Sequence, residues 1–246
     1  MRRLAARAGA VALLGVLAVG TAGCAVKGAD NANLIVGKQA FVAKCGSCHT
    51  LARADTKGIA GPNLDEAFRA SVAEGLQRNA VRTAVEGQVL NPNTSGIMPA
   101  GLANGATLTD IAAYIAQSVD NPGKDTGLLA SAVEAPGSGK PAVEKAGKLQ
   151  IDANPAGQLA YTASKAEAKP GAVTITMANM SGVSHNIAVE AGENGAAAKG
   201  ATISASKFIT KGSTSVTVNL KPGKYTFFCQ APGHRAAGMY GTLTVK

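Results

Sequence analysis

The chain has 246 residues, too many for one small module, and at roughly 100–150 residues per domain it points to two. Charged residues make up 16% and hydrophobic ones 46%, which excludes global disorder; aromatics are 4% with no Trp, so the core must rest on Val, Ile, Leu and Ala. Four Cys are too few for a disulfide scaffold, and the one long uncharged apolar stretch is N-terminal, which excludes a multi-span membrane protein. The net charge of +9 is uneven: Arg2, Arg3 and Arg7 supply +3, residues 31–147 balance, and residues 148–246 carry ten basic against four acidic groups. Those lysines are scattered singly. That pattern argues against nucleic acid and for steering of an acidic protein partner.

Residues 1–23 read as an export signal, with basic residues at 2, 3 and 7 before an uncharged run. Thr21-Ala22-Gly23-Cys24 resembles the bacterial lipoprotein cleavage box, although Thr21 stands where Leu is usual. The resemblance implies lipid attachment at Cys24, with residues 24–32 as a tether. An uncleaved anchor and simple cleavage are the alternatives. All three place the rest of the chain outside the cytoplasm, at the outer face of the membrane or in the periplasm.

Residues 33–120 have helical periodicity. Leu34, Gly37, Phe41 and Val42 share one face, and Leu76, Ala80, Val81, Ala84 and Val85 repeat the spacing. Thr107-x-x-Asp110 looks like a capping box, and Leu108, Ile111, Ile115 and Val119 continue the stripe to a stop at Asn121-Pro122-Gly123. Residues 121–147 lack periodicity and read as a flexible linker. From Leu149 the period becomes two, in runs around Val173–Met177, His185–Val189, Val216–Leu220, Tyr225–Cys229 and Leu243–Val245. These short strands predict an all-β sandwich over residues 148–246.

Cys45-Gly46-Ser47-Cys48-His49 places two thiols and an imidazole where they can take the vinyl groups and the iron of one haem. A thioredoxin-like dithiol would want a βαβ context. A zinc site would want a second ligand pair, and no Cys or His lies between His49 and His185. Met98, in a loop flanked by Gly96 and Pro99, is the candidate second axial ligand; the alternative is a gap-filling core Met.

Residues 34–119 resemble the class I cytochromes c. Gly37, Phe41 and Tyr114 match that family's crossing terminal helices, Gly61-Pro62-Asn63-Leu64 its loop after the haem motif, and Met98-Pro99 its axial loop. The resemblance implies an all-α cytochrome c fold with one covalent haem c on Cys45 and Cys48, ligated by His49 and Met98.

Cys229, His234 and Met239 are spaced by five residues each, and His185 lies on an upstream strand, expected in the facing sheet. One thiolate, two imidazoles and a weak axial thioether form the donor set of a blue-copper site. Ser184-His185-Asn186, Tyr225-x-Phe227-x-Cys229 and Pro232-Gly233-His234 resemble the cupredoxins, nearest to the longer-loop rusticyanin and auracyanin types within the wider plastocyanin-like group. The resemblance implies a Greek-key sandwich holding one type 1 copper.

With Met98 closing the haem and four donors closing the copper, no catalytic residue and no small-molecule substrate are expected. The expected role is electron relay between respiratory or photosynthetic redox proteins. A copper-delivery module fused to a cytochrome and an electron-entry subunit of a membrane oxidase or reductase are the alternatives. The small residues around His234 are the expected electron port, with Arg235 and the lysines steering partners.

Overall fold

The structure is a computed structural model describing residues 31–93, 96–197 and 199–246. The export signal, most of the tether and Cys24 lie outside the described residues. No helix among the described residues is long and apolar enough to cross a membrane.

The N-terminal half is helical. Helix α1 (Leu34–Lys44) is capped by the Asn33 side chain, which accepts from the backbone N–H groups of Ile35 and Val36. A short ladder of β1 (Thr50–Leu51) and β2 (Thr56–Lys57) brackets a 3-10 turn, a feature the expected all-α fold did not include. Helices α2 (Leu64–Ala67), α3 (Arg69–Ala73), α4 (Arg78–Leu90) and α5 (Gly105–Asp120) follow.

Helices α1 and α5 cross at Gly37, where a Cβ would stand 2.1 Å from the Asp110 carbonyl oxygen; only a glycine admits this backbone approach. Phe41 and Tyr114 meet beside the crossing, ring centroids 6.4 Å apart. Val81, Val85 and Val89 of α4 and Leu108, Ile111 and Ile115 of α5 complete the buried stripe. Each such side chain contributes about 1.5–3 kcal/mol when fully buried. The expected capping box is not formed: α5 begins earlier, at Gly105, and Asp110 Oδ1 accepts the Asn33 N–H at 2.7 Å, tying the start of α1 to α5.

The segment expected to be a flexible linker is ordered along much of its length. Helix α6 (Gly127–Ala130) buries Leu129 in the helical core, and Asp125 sits in a cluster with Lys38, Arg53 and Tyr114. Strand β3 (Ala142–Val143) already pairs with the C-terminal sheet. Specific long-range partners override a loop-like composition here.

The C-terminal half is a sandwich of two sheets. One holds β4 (Lys148–Gln150), β6 (Gly171–Asn179) and β9 (Gly212–Leu220), with β6 in the middle, parallel to β4 and antiparallel to β9. The other runs β3, β5 (Lys165–Ala168), β11 (Tyr240–Val245), β10 (Gly223–Phe228), β7 (Ala188–Ala191) and β8 (Thr202–Ala205). Alternation puts Val173, Ile175, Met177, Val216 and Val218 against Val189, Phe227, Leu243 and Val245 in one core. Tyr161 packs edge-on to Phe227 at 5.4 Å.

Candidate metal centres

Cys229 follows directly on β10, and its backbone N–H donates to the Met239 carbonyl at the start of β11. Between them the chain makes a single helical turn, α7 (His234–Ala237). Gly233 enters it with φ of 79° and Gly238 leaves it with φ of 122°, left-handed conformations that suit glycine. This tight loop returns His234 to Cys229. His185 is paired with Ile209 through reciprocal backbone hydrogen bonds and stands just before β7. β7 is the hydrogen-bonded neighbour of β10, so His185 comes from the same sheet as Cys229, not from the facing one.

His185 Nδ1 lies 3.1 Å from His234 Nδ1, and Cys229 Sγ lies 3.9 and 3.5 Å from these nitrogens. A metal held at about 2.0–2.1 Å by each nitrogen and about 2.3 Å by sulfur has ligand–ligand edges of roughly 3.1–3.9 Å. The three donors therefore already stand around a metal-sized point. Among the described residues this is the one group of three or more His, Cys, Asp or Glu side chains that could hold a metal ion. Nδ1 is the His185 nitrogen that faces the other two donors, while its Nε2 is buried without a hydrogen-bond partner.

The electrostatics agree. Burial, with the neighbouring His234, lowers the His185 pKa to about 4, and burial lowers that of His234. Both rings are thus neutral near pH 7, the form that binds metal. Burial pushes the Cys229 thiol up, opposed by the backbone N–H groups of Asn186 and Ala231. A bound cation then supplies the charge a thiolate needs. Met239 is fully buried in the same core, its N–H donating to the His234 carbonyl.

Residues around the donors lock them. Asn186 donates to Gln230 Oε1 and accepts the Gln230 N–H, bridging the residues next to His185 and Cys229. The Tyr161 hydroxyl donates to the Asn186 carbonyl at 2.8 Å. Arg235, expected on the surface as a steering charge, is buried. Its guanidinium makes a bidentate pair with Glu190 at 3.0 and 2.6 Å, donates to the carbonyls of Gly195 and Ala197, and lies 4.2 Å over the Phe228 ring. The Arg235 hydrogen bonds hold the Glu190 carboxyl below its ordinary value against the opposing effect of burial. Arg235→Ala is expected to destabilise the sandwich by about 3 kcal/mol, the low end for breaking a buried pair, because Asn194 still donates to Glu190. Denaturant unfolding of wild type, Arg235→Ala and Arg235→Lys checks this; a loss under about 1 kcal/mol, the scale of an exposed pair, would count against a loop-locking role.

In the helical half, Cys45 N and Gly46 N donate to the Phe41 carbonyl, and Cys48 N and His49 N donate to the Cys45 carbonyl. The motif thus continues α1 as one further turn, with Cys45 and Cys48 as free thiols. His49 Nδ1 lies 2.9 Å from the Pro62 carbonyl, which accepts its proton and leaves Nε2 for a metal. Gly61 packs on the His49 ring, where a Cβ would come within 2.5 Å of Cε1. Met98 is half-buried at the edge of the helical core, its Sδ 3.9 Å from Gln88 Nε2.

Residues 148–246 match the family of copper binding proteins of the plastocyanin/azurin type. Reduced auracyanin from Roseiflexus castenholzii is 28% identical, over 42% of this chain and 99% of its own, at a TM-score of 0.38. Auracyanin A from Chloroflexus aurantiacus is 26% identical, over 40% and 98%, at 0.35. Reduced rusticyanin is 19% identical, over 42% and 83%, at 0.35. No curated protein matches the chain. Residues 148–246 thus form a β domain similar to the copper binding proteins of the plastocyanin/azurin type, with a His185–Cys229–His234 group that could hold a metal ion.

Proposed function

We propose that the chain is an exported one-electron carrier with two centres: type 1 copper held by His185, Cys229, His234 and axial Met239, and haem c attached at Cys45 and Cys48 with His49 and Met98 as axial ligands. The carrying observation is the convergence of two buried donors, His185 and Cys229, and the half-buried His234 on one point in a stiff β scaffold. When bound, each group supplies a reversible one-electron couple. The protein's part is to hold the donors still. Asn186, Gln230 and the Arg235–Glu190 pair keep the copper ligands from relaxing between oxidation states, and Pro62 and Gly61 fix the His49 ring. Both donor sets are coordinatively full, which favours a carrier over an enzyme.

The haem reading is supported by the donor chemistry. The Pro62 carbonyl accepts the His49 Nδ1 proton and leaves Nε2 for the iron, with Cys45 and Cys48 as free thiols in the turn before it. Cys24 and the preceding apolar run support lipid tethering at the outer face of the cytoplasmic membrane, and the +6 balance of residues 148–246 supports acidic redox partners.

The test is an absorption spectrum of exported, copper-loaded protein, oxidised and then reduced, with metals quantified. A reduced c-type haem spectrum and an oxidised-only thiolate–copper band, at one iron and one copper per chain, are expected; loss of either couple at full metal loading would overturn that half of the reading. Replacing both Cys45 and Cys48 by Ala is expected to abolish the haem that survives denaturing electrophoresis while leaving the copper band in place. Haem that stays covalently attached in this variant would refute the assignment.

A further inference from the structure

The two halves touch at two glycines of the cupredoxin-like domain, and both contacts flank the Cys45–His49 motif. At Gly157, with φ of 80°, a Cβ would stand 2.8 Å from the Ala43 carbonyl, in the last turn of α1. At Gly233 a Cβ would stand 2.6 Å from Ile59 Cδ1. Ile59 belongs to the segment folded over the motif: a Cβ on Gly58 would stand 2.5 Å from the Cys48 carbonyl carbon, and Gly61 lies on the His49 ring. Gly233 is covalently joined to His234. One non-bonded contact, Ile59 to Gly233, therefore separates the segment over His49 from the residue next to a copper ligand.

The connection between the halves holds them in this arrangement. Gln39 Nε2 donates to the Ala132 carbonyl at 3.0 Å, anchoring the connector to α1. Gln158 Nε2 donates to the Glu134 carbonyl at 3.1 Å, anchoring it to the sandwich. Only Val133 lies between these anchors. So short a leash gives a high effective concentration, and a small contact is then enough to dock the two domains. The cleft between them is about 300 Å³ and is lined by Gly46, Thr56 and Lys57 on one side and Leu159, Ala237 and Tyr240 on the other.

We infer that the helical domain is the resident docking partner of the copper-ligand loop, seated through Ile59 on Gly233 and Ala43 on Gly157, and that Ile59 is the residue coupling the two centres. This rests on the two-centre reading above. The first redox partner of each centre is then the other centre. One electron passes, so that ferrous haem iron becomes ferric as cupric copper becomes cuprous, or the reverse; no bond forms or breaks and no proton moves. Ile59 itself is 70% exposed, so a change there leaves the helical core intact.

The test uses the full-length holoprotein with Ile59→Asp, and with Leu90→Asp, an exposed apolar position at the end of α4, as the control. In the fully reduced, diamagnetic state, Ile59→Asp is expected to move the amide resonances of Gly233, His234 and Ala237, whereas the control leaves them in place. By flash reduction, electron exchange between the centres is expected to be independent of protein concentration in wild type. In Ile59→Asp it should be slower by about tenfold, the order expected for a docked population lowered by one decade. Unmoved Gly233 resonances with an unchanged rate, or an exchange rate that rises with protein concentration, would overturn the docking inference. Absence of one cofactor from the purified protein would instead fail the two-centre reading and the inference with it.

Discussion

Cys229→Ser is expected to abolish the thiolate-to-copper absorption of the copper-loaded protein while leaving the haem spectrum and the sandwich unchanged. Cys229 is 1% exposed, and its sulfur lies 3.5 and 3.9 Å from the two imidazole nitrogens, so it is the donor that brings the third corner of the site. Sulfur is soft, and the thiol readily releases its proton to solvent as a cation binds it. A serine hydroxyl is hard, and burial at this depth leaves it neutral, so the charge-transfer partner disappears. The fold does not depend on the sulfur: the residue's backbone N–H still reaches the Met239 carbonyl at 3.1 Å, and the β10–β11 register is untouched. Absorption and far-UV circular dichroism of the two proteins, loaded with equal copper, decide the matter. A retained band in the variant would remove Cys229 from the site.

The donors were readable because they are chemically scarce: the chain has three His and four Cys, and each falls in a motif or at a strand end. Strand alternation also carried through, since Val173, Ile175 and Met177 all point into the core that their spacing implied. What escaped depends on partners far away in the chain. Arg235 stands among small loop residues and looks like a surface charge; its burial follows from Glu190, 45 residues upstream, and from the Phe228 ring beneath it. His185 was expected across the core because alternation reports which face a residue occupies, not which strand lies next to it. The Ile59–Gly233 contact has no signal of its own, because a glycine in a left-handed turn looks the same whether or not another domain rests on it. Asn186, beside His185, reads in the sequence only as part of a ligand motif. Its bridging to Gln230 needs β7 and β10 to be neighbours, which no local pattern reports.

Asp125→Ala is expected to be the most destabilising of these changes, by about 5 kcal/mol, the upper end for stripping one partner from a buried ionic cluster. Asp125 has only 2% of its side chain exposed and accepts from three directions: Lys38 Nζ at 3.0 Å, Arg53 Nε at 2.8 Å and the Tyr114 hydroxyl at 2.8 Å. Removing it leaves two cations facing each other in the interior, Lys38 at 7% and Arg53 at 13% side-chain exposure. It also frees the connector, since Lys38 reaches the Leu129 carbonyl from the same position. Burial alone raises the Asp125 pKa, but hydrogen bonds from Arg53, Tyr114 and Lys38 outweigh it and hold the carboxyl below its ordinary value. A depressed folded value contributes stability at every pH above the ordinary carboxylate range and loses it as pH falls through the folded value. Wild type should therefore lose more stability than Asp125→Ala between neutral pH and about pH 3, where an ordinary carboxylate is mostly protonated. Thermal unfolding of both proteins across that range measures the difference. Parallel curves would mean that the cluster carries no net charge stabilisation, and that the connector is held by the Leu129 core and the Gln39 and Gln158 anchors alone.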